Sequence, residues 1–227
     1  TFIFLFILFG KFLEVSGAGQ FFIDLSVAGM GKYRGGPAKT AILASSILGT
    51  ISGSAVANTV TTGAFTIPLM KKTGYKGHFA AAVEAVSSTG GQIMPPIMGA
   101  SAFIIASYLG VPYMDIAIAA IIPAVLYYLC LFFQVDLRAQ RNGLVGLKKE
   151  ELPKFWGIFK GGFMFFLPLV VIVVMLVAGA SPMRAGLFSI VITIIVAAIK
   201  SSSRLSISKI AKALDLGARA SVETAVA

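Results

Sequence analysis

Along this chain, long apolar runs alternate with short basic loops, and the polar residues inside the runs are mostly small and neutral. Residues 40–70 contain no charged side chain and are bounded by Lys39 and by Lys71 and Lys72. One straight helix of that length would be about 46 Å long against a hydrocarbon core of about 30 Å. It would also put basic clusters on both sides of a membrane. A re-entrant hairpin turning at Ser52, Gly53 and Ser54 returns both clusters to the cytoplasmic side, where basic loops belong. Each arm is then about 12 to 16 residues, too short to span.

A second charge-poor run covers residues 79–109 and carries only Glu84, with Gly90-Gly91 and Pro95-Pro96 near its middle. Proline lacks a backbone N–H and turns the residue before it away from helix. The pattern predicts a discontinuous helix with halves at 79–88 and 97–109. Elsewhere, 1–13 reads as the second half of a transmembrane helix and 15–31 as an interfacial helix. Spans are predicted at 115–135, 161–178 and 185–199, and an amphipathic polar connector at 201–220. The expected organisation is therefore 1–39 (helix end, interfacial helix, basic loop) and 40–109 (hairpin and broken helix). It continues with 110–199 (three transmembrane helices around the cytoplasmic loop 136–160) and 200–227 (cytoplasmic connector).

Composition agrees with the pattern. The chain is 57% hydrophobic and 12% charged, where a soluble domain carries about 25% charged residues. The class is an all-α polytopic membrane protein. The net charge of +10 does not mark a nucleic-acid binder, because 17 of the 19 basic residues fall in four predicted inner loops. Arg184 alone lies in an outer loop, and Lys11 at the inner end of the first helix. Cys130 is the only cysteine and His78 the only histidine, so there is no disulfide framework and no thiol metal site, and His78 reads as an interfacial residue rather than a ligand. No signal-peptide pattern is visible. The chain begins inside one apolar run and ends as another begins, and is expected to be an internal piece of a longer protein. No G-x-x-x-x-G-K-[ST] loop marks an ATP-driven pump. An intramembrane serine protease would need a base beside Ser52, and His78 is predicted at the interface, out of reach.

The chemistry concentrates in the two breaks. Broken backbone at membrane depth persists only where protein buries it or where it lines a cavity. Paired breaks of this kind hold ions and solutes in secondary transporters. Ser52, Ser54, Asn58 and Thr59 from the hairpin, with Ser87, Ser88, Thr89, Gly90 and Gln92 from the helix break, supply neutral oxygens suited to sodium. Helix C-terminal ends favour cations and N-terminal ends favour anions. The competing reading is packing alone, since Gly49 and Gly53 make a G-x-x-x-G seam. Glu84 is a functional candidate as an intramembrane carboxylate. Its bland alternative is a surface role, reaching Lys71, Lys72 or water near the cytoplasmic end.

The run from Gly49 to Thr59 (GTISGSAVANT), the run from Ile67 to Tyr75 (IPLMKKTGY) and the run from Phe79 to Pro96 (FAAAVEAVSSTGGQIMPP) resemble the large membrane subunit of tripartite ATP-independent periplasmic (TRAP) transporters. Asn58-Thr59, the stretch from Gly90 to Gly99 and the stretch from Phe132 to Arg138 (FFQVDLR) resemble the fused permeases that work with TAXI-type binding proteins. The resemblance implies a sodium-coupled symporter, not an enzyme, that imports small organic acids such as C4-dicarboxylates. A periplasmic solute-binding protein would deliver the solute to the inner membrane of a bacterium or archaeon. It implies the ion transporter superfamily fold, with two inverted repeats moving as an elevator, so a second repeat is expected after Ala227. By resemblance, Ser52, Gly53, Ser54, Asn58, Ser87, Ser88, Thr89 and Gly90 hold sodium, the coupling ion, with no organic cofactor. The solute would lie beside it, at Asn58, Thr59, Gln92, Pro95 and Pro96. The alternatives are a stand-alone dicarboxylate or citrate-type symporter of the same superfamily, and a membrane scaffold whose glycines serve packing only.

Overall fold

The computed structural model describes residues 2–199 and 206–226, and among these all regular structure is helical. Lys200 and Arg204 of the expected connector lie outside the described residues. The chain divides into two compact units. One comprises Thr1–Ala18, Ala100–Ala117 and Gly162–Ala227; the other comprises Gly19–Gly99 and Ile118–Gly161.

The first unit is organised around α1 (Phe2–Val15), whose Phe6, Phe9 and Leu13 recur at helical spacing and are buried. The ring of Phe6 lies 5.0 Å from that of Phe103 on α6 (Ala100–Leu109), and Phe103 stacks at 4.1 Å on Tyr113. After α9 (Phe166–Val177), α10 (Pro182–Ile199) meets α1 at Gly186, where an added Cβ would lie 3.3 Å from Leu5 Cβ. The amphipathic α11 (Ile207–Val226) meets α1 at Gly217, where a Cβ would lie 2.7 Å from Leu8 Cδ1. Small residues at these crossings allow the close backbone approach that helix pairs in lipid depend on.

The second unit contains α2 (Ala18–Met30) and a helical hairpin. Its first arm, α3 (Gly36–Ser52), opens with Pro37 in its first turn and closes at Gly53. Gly53 has φ +61°, and its N–H donates to Gly49 O at 2.9 Å, a left-handed glycine stop. Ser54 then starts α4 (Ala55–Lys72), its Oγ accepting the Ala57 N–H at 3.3 Å. A glycine stop and a serine cap placed back to back reverse the chain within two residues, where the sequence put the turn. The arms are 17 and 18 residues long, more than the 12 to 16 expected. The difference is that charge does not end them. Lys39 is held inside α3 by Asp136, and Lys71 and Lys72 sit at the C-terminal end of α4, where the helix dipole favours cations. A 17-residue arm is still only about 26 Å long, short of the hydrocarbon core.

The helix expected at 79–88 is α5 (Gly77–Gly90), which continues as one 3₁₀ turn over Gly91–Ile93. Met94 to Gly99 is non-helical, with a cis Pro95–Pro96 peptide and Met98 at φ +56°. α5 runs past residue 88 because Tyr127 and Tyr128 donate their hydroxyls to Val86 O and Ser87 O in its last turn, at 2.8 and 2.9 Å. Both tyrosines stand on α7 (Tyr113–Arg141), which outruns the predicted 115–135 at both ends. Ala38, Ala41, Ile42, Met70, Ala80, Val83, Tyr128, Leu131 and Val135 form the core of this unit. At its basic end, Arg34 and Lys39 both bind Asp136, Lys39 lies 4.8 Å over the Phe132 ring, and Lys72 binds Glu151 at 2.7 Å. The stretch from Phe132 to Arg138 therefore clasps the base of the hairpin.

Among the described residues, Tyr113–Arg141 and Lys149–Val177 are long and apolar enough to cross a bilayer. The span expected over 161–178 is helical as α8 (Phe155–Gly162), a 3₁₀ turn and α9. The interruption falls at Gly162, which leaves helical backbone at φ −139°. The Phe155, Trp156 and Phe159 cluster just before it is of the kind that sits at a membrane interface. The protein is an all-helical membrane protein.

A re-entrant hairpin places both of its base residues on one side. Cysteines replacing Arg34 and Lys72, one at a time, should react with a membrane-impermeant maleimide added to the same face of oriented vesicles. Labelling from opposite faces would mean that the arms cross the membrane.

Candidate ion and solute site

The hairpin tip and the helix break interlock by backbone approach. A Cβ on Gly91 would lie 2.4 Å from Gly49 Cα, and a Cβ on Gly53 would lie 2.3 Å from Met98 O. Thr50 Oγ1 donates to Pro95 O at 2.6 Å, and Gly99 N–H closes the break onto Gln92 O at 2.8 Å. On the far side of the break, Gly90 faces the tyrosine pair, and a Cβ there would sit 2.5 Å from Tyr127 Cε1. Larger residues at 49, 53, 90 or 91 would push these elements apart.

Asn58 lies in the first turn of α4 where this crossing occurs, 1% exposed. Its Nδ2 donates to Ser45 O at 2.9 Å, which fixes the amide orientation, since Oδ1 cannot donate to a carbonyl. Oδ1 is left buried without a hydrogen-bond partner. Buried polar atoms in folded proteins are nearly always satisfied, so an orphan oxygen calls for an explanation such as an ion. Its chemistry, a neutral hard oxygen, fits a sodium ligand.

The other expected ligands divide. Ser52 Oγ and Ser54 bond within the tip, at 3.4 Å from Ser54 N. Ser87 Oγ donates to Val83 O at 2.6 Å, Thr89 Oγ1 to Ala85 O at 2.8 Å and Thr59 Oγ1 to Ala55 O at 2.8 Å. Those hydroxyl protons are directed along their own helices. Thr89 and Gln92 are exposed, whereas Ser87, Ser88 and Gly90 are buried. The carbonyl of Pro95 is taken by Thr50, and Pro96 follows it in the break.

Glu84 overturns its bland reading. It does not reach Lys71, Lys72 or water; it is 0% exposed, between α3, α4 and α5. Its Oε1 accepts from Ser45 Oγ at 2.8 Å, from Ser88 Oγ at 3.2 Å and from Thr62 Oγ1, and its Oε2 accepts from Thr66 Oγ1. Gly63 leaves room for the carboxyl, since a Cβ there would lie 3.1 Å from Glu84 Cγ. Sequence reasoning missed Ser45, Thr62 and Thr66. The available signal was the four-residue spacing of Asn58, Thr62 and Thr66, which puts three polar side chains on one face of α4.

Comparison with known proteins gives a consistent result. The family described as "Tripartite ATP-independent periplasmic transporter, DctM component" matches residues 1–227. A provisionally named TRAP transporter large permease protein of Haemophilus influenzae is 33% identical over 74% of this chain and 39% of its own length. The 2,3-diketo-L-gulonate TRAP transporter large permease protein YiaN of Escherichia coli K12 is 28% identical over 81% of this chain and 41% of its own. The C4-dicarboxylate TRAP transporter large permease protein DctM of Rhodobacter capsulatus is 26% identical over 82% and 45%. The chain thus spans less than half the length of each of these relatives.

The glycine crossing is directly testable. Gly91→Ala should destabilise the protein by about 1–3 kcal/mol through overpacking, read as a fall in melting temperature. Gly161→Ala is the control, because nothing lies within 4 Å of its added Cβ. Equal effects of the two would contradict the close approach.

Proposed function

We propose, from the premise that the chain belongs to the DctM component family of tripartite ATP-independent periplasmic transporters, that it contributes a hairpin and a broken helix to a sodium-coupled importer of small organic acids. The observation that carries the sodium reading is the orphan Oδ1 of Asn58, buried at the crossing of the two breaks. A sodium ion there would draw its ligands from Asn58, from carbonyls freed near Ser52, Gly53 and Ser54, and from the break at Ser87 to Gly90. In this reading the ion orders the tip against the break, and the solute binds beside it.

The solute is a carboxylate. Two relatives carry the names of a C4-dicarboxylate and of 2,3-diketo-L-gulonate. Residues 40–70 and 79–109 contain no Lys or Arg, so this part of the site would hold an anion with neutral donors. The N-terminal N–H groups of α4 beside Ser54 suit that role, with Thr59 and Gln92 adjacent. A periplasmic solute-binding protein delivers the solute, and it is of TAXI type by the resemblance of Asn58-Thr59 and the break motif. The membrane is the inner membrane of a bacterium or archaeon. Movement is of elevator type by the same resemblance, and the contacts between Gly49 and Gly91, Thr50 and Pro95, and Gly53 and Met98 support the hairpin moving together with α5 and the break.

The test avoids the unidentified solute. The melting temperature of the purified full-length permease is followed across a sodium titration, with potassium and choline as controls. Sodium at about one hundred times its dissociation constant would stabilise the native state by about 2.7 kcal/mol. Ser54→Ala combined with Asn58→Ala should remove the part of the sodium-specific rise that the hairpin tip supplies. No difference between the salts would remove the sodium assignments.

A further inference from the structure

Glu84 stands apart from the hairpin-tip ligands, and its surroundings leave its charge uncompensated. The charged or titratable side chains on α3, α4 and α5 are Lys39, Lys71, Lys72 and His78. Lys39 is bound to Asp136 and Lys72 to Glu151. Lys39 lies six residues before Ser45, Lys71 five residues after Thr66 and His78 six residues before Glu84, each about 8–9 Å of helix rise. Among the described residues none of them hydrogen-bonds to Glu84. From α7, Tyr127 and Tyr128 approach, but both hydroxyls go to carbonyls of α5. An ionised carboxylate buried at membrane depth without a counter-charge is strongly disfavoured.

Proton accounting sharpens the point. A hydroxyl has one proton to give. Thr62 Oγ1 lies 2.7 Å from Asn58 O, and Thr66 Oγ1 lies 3.0 Å from Thr62 O, so each has a carbonyl on its own helix competing for that proton. When the proton goes to the carbonyl, the hydroxyl turns a lone pair toward Glu84. Oxygen then faces oxygen, and a positive charge belongs between them. The cage supplies two carboxylate oxygens and four hydroxyl oxygens, all hard donors.

We propose that Glu84, with Ser45, Thr62, Thr66 and Ser88, forms a second cation site that takes one sodium ion between α3, α4 and α5. It differs from the hairpin-tip set in supplying a formal negative charge, and Ser88 is the one named side chain that the two sets share. Its occupant neutralises Glu84 and ties both hairpin arms to the broken helix.

The test uses the full-length permease and reads thermal unfolding in sodium chloride against choline chloride at fixed pH and constant ionic strength. Glu84→Gln keeps the shape and removes the charge; Asn58→Ala probes the hairpin tip separately. Glu84→Gln should lose part of the sodium stabilisation, and Asn58→Ala should retain that part. Thr66→Val, which keeps the charge and removes one oxygen, should move the midpoint of that part by about tenfold in sodium concentration. This variant decides the matter if Glu84→Gln does not fold. A Glu84→Gln protein that follows wild type in sodium, or an unmoved midpoint in Thr66→Val, overturns the proposal. An Asn58→Ala protein that follows wild type in sodium overturns the hairpin-tip reading instead.

Discussion

A buried carboxylate ringed by hydroxyls is the interaction on which the hairpin unit depends. Ser45 comes from the first arm, Thr62 and Thr66 from the second, and Ser88 from the same helix as Glu84 one turn on. In lipid there is little hydrophobic force between helices, so association rests on close packing and on polar bonds across the interface. Glu84 provides the polar bonds to both arms at once. The glycines provide the packing, with Gly63 making room for the carboxyl and Gly49 meeting Gly91 at the crossing. Removing either would loosen the same three helices.

That assembly explains why the two breaks meet. A re-entrant hairpin buries a tip that cannot satisfy its own backbone, and the broken helix has the same defect. Each completes the other: Thr50 serves the Pro95 carbonyl, Gly53 admits the Met98 carbonyl, and the tyrosine pair of α7 serves the last turn of α5. Asn58 Oδ1 remains unsatisfied, in the region where ion chemistry is proposed. At the opposite end, Asp136 gathers Arg34 and Lys39, and Glu151 holds Lys72. The unit is thus braced by ion pairs at its base and by a carboxylate among hydroxyls within.

Much of this was legible in the sequence. The hairpin followed from the placement of Lys39, Lys71 and Lys72 about an uncharged run too long for one span, and its turn fell at Gly53 because only a glycine stop followed by a serine cap reverses the chain there. The helix break was announced by Pro95 and Pro96. The family was legible in the glycine- and hydroxyl-rich runs. The surroundings of Glu84 were not, because they depend on which way α5 faces, and one residue of helix turns a side chain by roughly 100°. The arm lengths were underestimated because charge was read as a helix end, although Lys39 sits within α3 once Asp136 neutralises it. The spacing of Asn58, Thr62 and Thr66 held the missing information, but it became meaningful only when a carboxylate was found opposite.

The most direct measurement is a pair of double-mutant cycles on unfolding stability, Glu84→Gln with Thr66→Val and Glu84→Gln with Lys71→Met. A carboxylate seated among the hydroxyls should couple to Thr66 by about 0.5–3 kcal/mol and to Lys71 by close to zero. Coupling to Lys71 with none to Thr66 would put Glu84 at the basic end of the helix and contradict the buried cage.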